Sequence, residues 1–371
     1  MLRLMITGDL VLEEPDACLL FNDASSLLRQ ADVLIGHVET PHTNRGKEAT
    51  GDIPAPGSPP ENLRALADNN FSVATLAGNH IHDRGPEGIA DTIETLRMHG
   101  IASAGAGANL AAARAPARVA HGAQEVAVLS YNCVGPSAGW AGAHHAGCAY
   151  IKVISHYEPE GANPGGPPKA YTFNDFASVA AMQADVAAAK AGGAVVVVYF
   201  HKGLVHVPAK LAMYERPLTH AAIEAGADIV AGCHAHIPRG VEIHRGKPIF
   251  HGLGNFVTVT RALSIEGNDH PERLAWAKRR RELFGFTPDP DYPLYPFHPE
   301  SKNVIVADCM IGEDGSIQPG LSPLWMQPTG APLPLGRSPK GQDVLDYVTH
   351  ITREAGLKAD FAWEGDRIVF N

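Results

Sequence analysis

Residues 229–236 read Ile-Val-Ala-Gly-Cys-His-Ala-His, a short apolar run that leads into two histidines one residue apart. β-Branched residues followed by a glycine predict a buried strand that ends near Ala231. Side chains at alternate positions of an extended segment point the same way, so His234 and His236 are predicted to face one site. Imidazole is a frequent ligand of divalent metals. This pair is the most specific local signal in the sequence.

Further apolar runs alternate with helical patterns along the chain. The other β-type runs are Leu2 to Thr7, Val33 to Val38, Ser72 to Ala77, Val126 to Tyr131, Val195 to Phe200 and Ile249 to Leu253. The helical patterns cover Glu61 to Asn70, Pro86 to His99, Asn174 to Lys190 and Leu211 to Ala225. This alternation is typical of strand-helix-strand units and predicts an α/β fold with a largely parallel sheet.

Three stretches interrupt the alternation. Residues 49–60 and 158–168 are rich in glycine and proline and are predicted to be loops over the strand ends. Residues 264–301 are predicted to be a longer loop insertion that carries several aromatics. After a main domain over residues 1–335, a helix at roughly Gly341 to Ala355 and a strand at Arg367 to Phe370 are expected to form a C-terminal unit, residues 336–371, packed on that domain.

Composition and charge argue against several classes of protein. The formal net charge of -10 disfavours a nucleic-acid binder, because affinity for phosphate backbones depends mainly on positive charge. No window of about 18 apolar residues and no cleavable leader are evident, so we expect a soluble, cytoplasmic protein without a membrane anchor. The five cysteines are scattered and never two apart, which predicts neither a disulfide framework nor a thiolate zinc site.

Five of the seven apolar runs lead into residue types that bind metals, namely Asp9, Glu39, Asn79 with His80, His201, and His234 with His236. Because the carboxyl ends of parallel strands meet at one edge of a sheet, these side chains are expected to converge. Carboxylate, amide and imidazole ligands together suit Mn, Fe, Co, Ni or Zn better than Mg or Ca. Taken singly, each residue is more typical of a helix cap, a turn or a structural hydrogen bond.

In this order the motifs resemble the CapA / poly-γ-glutamate capsule synthesis family, a branch of the calcineurin-like metallophosphatase superfamily. The resemblance rests on Gly8-Asp9, Glu39-Thr40-Pro41, Gly78-Asn79-His80 with Asp83 and Gly85, His201 before Gly203, Gly232-Cys233-His234-Ala235-His236 and Gly252-Leu253-Gly254-Asn255-Phe256. It covers roughly residues 1–256. It implies a metallophosphatase-like catalytic domain, a four-layer α/β/β/α sandwich and a centre with two divalent metal ions, of which Mn, Zn or Fe are expected.

The resemblance also implies a role for each matching residue. Glu39 would bridge the two ions, and Asp9 and His236 would hold one of them. The other ion would be held by Asn79, His201 and His234. His80 would stand beside the reaction centre as a general acid or a donor to substrate. Asp83 would either orient His80 or cap the helix that follows, and both alternatives stay open.

The sequence departs from the superfamily pattern at several positions. Leu10 and Val11 follow Asp9 where the superfamily has Asp-x-His, so the first metal loses an imidazole. His37 is a candidate to replace it or to contact substrate, with a hydrogen bond in the core as the alternative. Four further residues flank the same edge and are candidate catalytic or substrate-binding groups: His251 for catalysis, and His42, Lys202 and His206 for substrate.

Three functions compete at this stage. The leading hypothesis is a metal-dependent hydrolase of a phosphoester or of a peptide or γ-glutamyl amide, with a small-molecule or peptide substrate. The second is a metal-dependent peptide epimerase in which two groups such as His80 and His251 exchange an α-proton. The third is a non-catalytic protein of capsule polymer assembly. The sequence leaves a homodimer open.

Overall fold

Two β-sheets packed face to face form the centre of the protein. The structure, a computed structural model, describes residues 1–49, 57–158, 168–260 and 271–371. In chain order the strands are β1 (Leu2–Leu12), β2 (Val33–Val38), β3 (Val73–Thr75), β4 (Ala102–Ala104), β5 (Ala106–Gly107), β6 (Ala117–His121), β7 (Gln124–Asn132), β8 (Gly147–Cys148), β9 (Val153–Glu158), β10 (Lys169–Asn174), β11 (Val195–Lys202), β12 (Ile229–His234), β13 (Val241–His244), β14 (Lys247–Phe250), β15 (Asn255–Val259), β16 (Asn303–Ile311), β17 (Ile317–Gln318), β18 (Gly320–Met326), β19 (Pro332–Pro334), β20 (Phe361–Glu364) and β21 (Arg367–Phe370).

Helices pack against both sheets. They are α1 (Ser25–Leu28), α2 (Arg64–Asp68), α3 (Gly85–Met98), α4 (Leu110–Arg114), α5 (Phe176–Ala191), α6 (Glu215–Glu224), α7 (Pro271–Phe284) and α8 (Pro339–Glu354), with 3-10 turns at Ala17–Phe21, Pro60–Leu63, Ser137–Gly139 and Pro299–Lys302. Within the described ranges, none of them is both long and apolar enough to cross a bilayer.

Sheet A has the order β20-β21-β18-β16-β1-β2-β3-β4, and β15, β17 and β19 pair beside this path. Strands β1, β2, β3, β4 and β15 run parallel, whereas β16, β18, β20 and β21 are antiparallel to their neighbours. Sheet B has the order β13-β14-β12-β11-β7-β6, with four parallel strands between two antiparallel edges. The predicted parallel strands are therefore confirmed, and they are divided between two sheets that also contain antiparallel strands.

Three layers of apolar contact give the four-layer α/β/β/α sandwich that the resemblance implies. The middle layer joins the facing sides of the sheets, with Leu4 and Ile6 of sheet A against Val197 and Ile229 of sheet B. A second layer packs α2 and α3 on sheet A, and a third packs α5 and α6 on sheet B. Alternation along each strand explains this, since successive side chains serve opposite faces.

The chain after residue 260 differs most from the sequence prediction. Residues 271–284 form helix α7 inside the stretch predicted as a loop at 264–301. Residues 50–56, 159–167 and 261–270 lie outside the described residues, and with them parts of the three predicted insertions. Strands β16 and β18 were not predicted, although β16 pairs with β1 and β18 pairs with β16 in sheet A. Helix α8 contributes Val344 and Val348 to the middle core layer, and β21 pairs with β18.

Candidate metal centre

Two buried carboxylates and one imidazole form the first half of the centre. Asp9 lies within β1, opposite His37 of β2, and Glu39 follows the end of β2. His236 comes two residues after β12; its Nδ1 lies 3.3 Å from Asp9 Oδ2 and its Nε2 lies 3.4 Å from Glu39 Oε1. One ligand atom from each of these residues lies within 4.8 Å of the others. The side chains predicted to hold the first ion, Asp9 and His236, thus lie together with Glu39, the predicted bridging carboxylate.

Asn79, His201 and His234 form the second half. His201 Nε2 lies 2.7 Å from Asn79 Oδ1 and 3.0 Å from His234 Nδ1. The His234 backbone N–H donates to Asp9 Oδ2 at 3.2 Å, which joins the two halves. His201 is fully buried and the other two are nearly so. All six residues assigned to metals from the sequence therefore converge at one edge of the sandwich.

The two histidines after β12 reach the site by an unexpected backbone path. His234 has φ 85 and His236 has φ 53, both in the left-handed region that side chains other than glycine rarely adopt. The extended geometry predicted for this pair is therefore wrong at these two positions, although both rings face the site. Such residues cost on the order of 1–3 kcal/mol each and persist where the surrounding fold enforces them. Two of the candidate ligands are therefore held in a strained backbone conformation.

The burial and hydrogen bonding of the two carboxylates indicate whether the site suits cations. Asp9 is fully buried and Glu39 is 2% exposed. Asp9 Oδ1 and both oxygens of Glu39 have no hydrogen-bond partner among the described residues. Burial raises the pKa of Glu39 to about 7. Leaving buried carboxylate oxygens unsatisfied is costly, and two divalent cations held by oxygen and nitrogen ligands would satisfy them. The donor set fits such a centre.

His201 and His234 are held in the neutral state that metal binding needs, whereas His236 is not. Burial lowers the pKa of His234 to about 3 and holds the pKa of His201 well below its ordinary value, so both rings are neutral and available as ligands. Burial also acts to lower the pKa of His236, but Glu39 and Asp9 outweigh it and raise that pKa to about 9. The protonated ring lies between the two carboxylates, so His236 must lose a proton before it can bind a cation.

His37 extends the donor set beneath the centre. Its Nδ1 bonds to Thr75 Oγ1 at 3.0 Å, while Nε2 has no hydrogen-bond partner in the described part of the chain. His37, Asp9, His201 and Cys233 each offer an atom within 4.8 Å of the others. Since His37 is fully buried, direct contact with a substrate does not fit, whereas the role of replacement ligand does. Cys233 was missed from the sequence because its spacing matches no thiolate motif.

His80 and Asp83 form a hydrogen-bonded pair beside the ligands. His80 Nδ1 lies 2.7 Å from Asp83 Oδ2, and both residues are 8% exposed. The N-cap position of α3 belongs to Arg84, and its side chain makes no capping bond. Of the two roles predicted for Asp83, orientation of His80 is therefore the one that its contacts support.

The chain matches a known protein family over most of its length. The model of the family described as "Bacterial capsule synthesis protein PGA_cap" matches residues 3–260. The chain belongs to the PGA_cap family. The match ends before α7, so the segment that follows residue 260 lies beyond what defines the family.

Curated relatives in the PGA_cap family have names from capsule and polymer synthesis. The chain is 32% identical over 230 residues to "Probable polyglutamine synthesis accessory protein Rv0574c" of Mycobacterium tuberculosis, which covers 61% of this chain and 55% of that protein. It is 28% identical over 250 residues to "PGA biosynthesis protein CapA" of Bacillus subtilis, covering 67% and 58%. The chain thus spans a little over half the length of these relatives.

Among solved structures, the chain is similar to the calcineurin-like phosphoesterase YfkN from Bacillus subtilis. The TM-score is 0.41 at 11% sequence identity, and the alignment covers 95% of this chain and 97% of that one.

Two residues predicted at the site of this PGA_cap member lie on the opposite face of sheet B. Lys202 Nζ lies 2.7 Å from Glu215 Oε2 and 2.9 Å from the His251 carbonyl, with both charged side chains at most 1% exposed. His251 Nε2 lies 3.0 Å from Glu242 Oε1. The prediction of a substrate-binding Lys202 and a catalytic His251 is corrected by these contacts. Lys202 follows His201 directly, so the two must face opposite sides of β11.

His42 and His206 are both buried as well. His42 Nδ1 lies 2.9 Å from the Pro59 carbonyl, and burial lowers its pKa to about 4, so its predicted contact with substrate does not fit. His206 lies among aromatic rings, 4.7 Å from Phe284 and 5.0 Å from Phe286 between ring centroids, and 5.7 Å from the ring of His236. Its predicted role with substrate stays a prediction.

Asn255, like Cys233, was given no role by the sequence reasoning. It belongs to the Gly254-Asn255-Phe256 motif, yet no role was predicted for it. Its Oδ1 lies 2.8 Å from His236 Nδ1, and it pairs with Asp9 across β1 and β15. Phe297, from beyond the family match, packs on the same histidine with ring centroids 5.1 Å apart. A polar residue directly after a glycine at a strand start was the only available signal.

Proposed function

We propose that this chain is a metal-dependent hydrolase with a dinuclear centre, and that its substrate is a γ-glutamyl or peptide amide. A phosphoester is the second substrate class. The observation that carries the proposal is the burial of Asp9 and Glu39 with unsatisfied oxygens beside neutral imidazoles. The names of relatives, which refer to polyglutamine and PGA synthesis, favour the amide over the phosphoester.

The protein's own groups divide the work of hydrolysis. When bound, the two divalent ions would polarise the scissile carbonyl and activate the attacking water. Asp9, Glu39 and His236 would hold one ion, and Asn79, His201 and His234 the other, with Glu39 shared. The reaction adds water across the C–N bond, so the carbon gains a hydroxyl and the amine gains a proton.

His80 is the candidate source of that proton. Nδ1–H of the ring donates to Asp83 Oδ2, which fixes the tautomer and leaves Nε2 to carry and transfer a proton. Asp83 also stabilises the protonated ring, since a carboxylate at 2.7 Å favours the cation. The pair is positioned by the turn between β3 and α3 rather than by a helix cap.

The competing hypotheses fit the geometry less well. The predicted epimerase needs a second proton-transfer group opposite His80, and the residue suggested for it, His251, bonds to Glu242 on the other face of sheet B. A non-catalytic role in polymer assembly does not require the strained, unsatisfied ligand cluster. The predicted cytoplasmic location and the homodimer stay predictions.

A test combines metal analysis with substrate panels. Protein purified without added metal would be assayed for bound metals, then incubated with Mn, Zn or Fe(II) and with γ-glutamyl peptides, poly-γ-glutamate and a phosphodiester panel. We expect two metal equivalents and chelator-sensitive cleavage of the amides. His80→Asn should keep both metals and lose cleavage about 10²-fold or more, as for loss of a general acid. His350→Asn, at an exposed position of α8, is the matched control.

The outcomes separate the three hypotheses. Deuterium uptake at an α-carbon without cleavage would replace hydrolysis by epimerisation. No turnover of any substrate, together with full activity of a His234→Ala variant in capsule assembly, would replace it by the assembly role. Cleavage of phosphodiesters alone would keep the hydrolase and change its substrate.

A further inference from the structure

A chain of three hydrogen bonds leads from the candidate ligand His236 into the segment beyond the family match. His236 Nδ1 lies 2.8 Å from Asn255 Oδ1, and Asn255 Nδ2 donates to Tyr295 Oη at 2.9 Å. Tyr295 Oη in turn donates to the Ser301 carbonyl at 3.0 Å. Asn255 and Tyr295 are 1% exposed and Ser301 is fully buried, so water does not compete for these groups.

The direction of every bond in this chain follows from its last member. A backbone carbonyl only accepts, so Tyr295 must give its single hydroxyl hydrogen to Ser301. The phenol oxygen is then left as an acceptor, and it can be satisfied only by the NH₂ end of Asn255. The carbonyl end of Asn255 therefore faces His236, and His236 Nδ1 must carry the hydrogen.

These hydrogen-bond directions determine which nitrogen of His236 is available to a metal. In the neutral ring that binds a metal, the hydrogen on Nδ1 leaves the lone pair on Nε2, and Nε2 is the atom that lies 3.4 Å from Glu39 Oε1. Asp9 Oδ2, at 3.3 Å from Nδ1, is a second acceptor on the hydrogen-bearing side. A flipped Asn255 amide would point NH₂ at Nδ1 and favour the opposite tautomer, with its lone pair turned away from Glu39.

We infer that Tyr295 is a positioning residue: through Asn255 it fixes the His236 tautomer in which Nε2 faces Glu39 and the metal centre. The inference rests on the proposed metal centre and adds to it a residue from outside the region that defines the family. Tyr295 acts by orienting an amide, and its hydroxyl bonds to Asn255 and to the Ser301 carbonyl. Its ring also packs on Phe297 at 4.9 Å between centroids, so a purely structural role is the alternative to be tested.

A positioning role and a purely structural role of Tyr295 predict different results when the Asn255 amide is replaced by a carboxylate. In Asn255→Asp the side chain offers an acceptor at either end, so its orientation no longer matters to His236. Tyr295→Phe should therefore weaken binding of one of two Zn²⁺ equivalents about tenfold or more when Asn255 is present, as is usual for the loss of an outer hydrogen bond. In the Asn255→Asp background the same substitution should change the affinity by about twofold or less. Binding would be measured with Zn²⁺ alone, by competition with a chelator of known affinity.

The position of the hydrogen on the His236 ring can be measured by NMR spectroscopy, and it does not depend on the stability of the protein. In the Zn²⁺-loaded protein labelled with ¹⁵N-histidine, the ring signals of His236, identified by their loss in His236→Gln, should show hydrogen on Nδ1. In Tyr295→Phe this pattern should be partly lost. Tyr292→Phe, three residues earlier and outside this chain of hydrogen bonds, is the matched control and should match the unsubstituted protein in both measurements.

The possible failures are distinguishable. Equal losses of affinity with Asn255 in place and in the Asn255→Asp background would show that Tyr295 acts through packing and would overturn the inference. Unchanged Zn²⁺ binding and an unchanged His236 pattern in Tyr295→Phe would overturn it as well. Failure of the unsubstituted protein to bind Zn²⁺ at all would overturn the metal centre itself. If Tyr295→Phe does not fold, Asn255→Leu takes its place. This variant removes the acceptor for His236 Nδ1, and it must show the same weakening of Zn²⁺ binding at one of the two sites.

Discussion

The replacement Glu39→Gln should stabilise the metal-free protein and reduce the stabilisation that metal binding adds. Glu39 is a buried carboxyl whose oxygens have no hydrogen-bond partner within the described ranges. In metal-free protein its charge is therefore destabilising, and a neutral amide of the same shape removes it. With metal present the same carboxylate is the proposed bridging ligand, so its loss should weaken the centre.

The magnitude follows from the pKa of Glu39. Burial raises this pKa from 4.5 to about 7, with partial relief from the charge of His236. Because the folded value is the higher one, the penalty is absent below the unfolded value, grows between about pH 4.5 and 7, and is complete above pH 7. At about 1.4 kcal/mol per pKa unit, the gap corresponds to roughly 3 kcal/mol at pH 8. Metal-free Glu39→Gln should gain stability of this order there, and almost nothing at pH 4.

Urea unfolding at pH 8 and pH 4, in EDTA and in excess Zn²⁺, measures these differences. With Zn²⁺, a hundredfold weaker site would lose about 2.7 kcal/mol of ligand-linked stabilisation, which cancels most of the gain seen in the metal-free variant. Glu215→Gln is the contrasting control: its buried carboxylate is paired with Lys202 at 2.7 Å, so the variant should lose about 3 kcal/mol with or without metal. Metal-free Glu39→Gln that is less stable than the unsubstituted protein at pH 8 would refute the reasoning.

Three further predictions concern residues outside the ligand set. Lys202→Met should cost about 3 kcal/mol in urea unfolding while metal content by elemental analysis stays the same, because the lysine pairs with Glu215 instead of a substrate; loss of metal would contradict this. Burial acts to raise the pKa of Glu242, but hydrogen bonds from His251 and Arg216 outweigh it and hold the pKa low, so its stabilisation is complete above about pH 4.5 and is lost as pH falls toward the folded value. Acid unfolding followed by circular dichroism should accordingly be less steep in Glu242→Gln, and an unchanged slope would count against it. Gly8→Ala drives a Cβ into the Gly254 carbonyl oxygen and should abolish folding or metal binding, whereas Gly192→Ala, with its nearest neighbour at 4.0 Å, should be neutral or stabilise by about 0.4–1 kcal/mol in thermal melts.

Much of the parallel framework could be predicted from the sequence because its signals are local. Strand β2 has the predicted bounds Val33–Val38, and β21 has the predicted bounds Arg367–Phe370. Apolar runs of this length reflect burial on one or both faces, whatever their partners. The antiparallel strands β16 and β18 were missed. β16 pairs with β1, about 300 positions earlier in the chain, and β18 joins the sheet only through β16.

The candidate ligands could be predicted, and their neighbours only in part. Strand ends followed by Asp, Glu, Asn or His gave Asp9, Glu39, Asn79, His201, His234 and His236, because parallel strands bring their ends to one edge. The face of sheet B on which His251 lies could not be predicted in the same way. It bonds to Glu242, nine residues earlier, on a face that its own sequence neighbourhood does not reveal.

By itself the sequence determined which residue types stand at the strand ends, and so that oxygen and nitrogen ligands meet at the edge of an α/β sandwich. Only the tertiary structure decided which of the remaining histidines and lysines share that edge, and which nitrogen of His236 is presented to Glu39. The reason is physical: hydrophobic periodicity is written in consecutive residues, whereas the orientation of a side chain is set by its hydrogen-bond partners. For His236 those partners lead through Asn255 to Tyr295, 59 positions further along the chain.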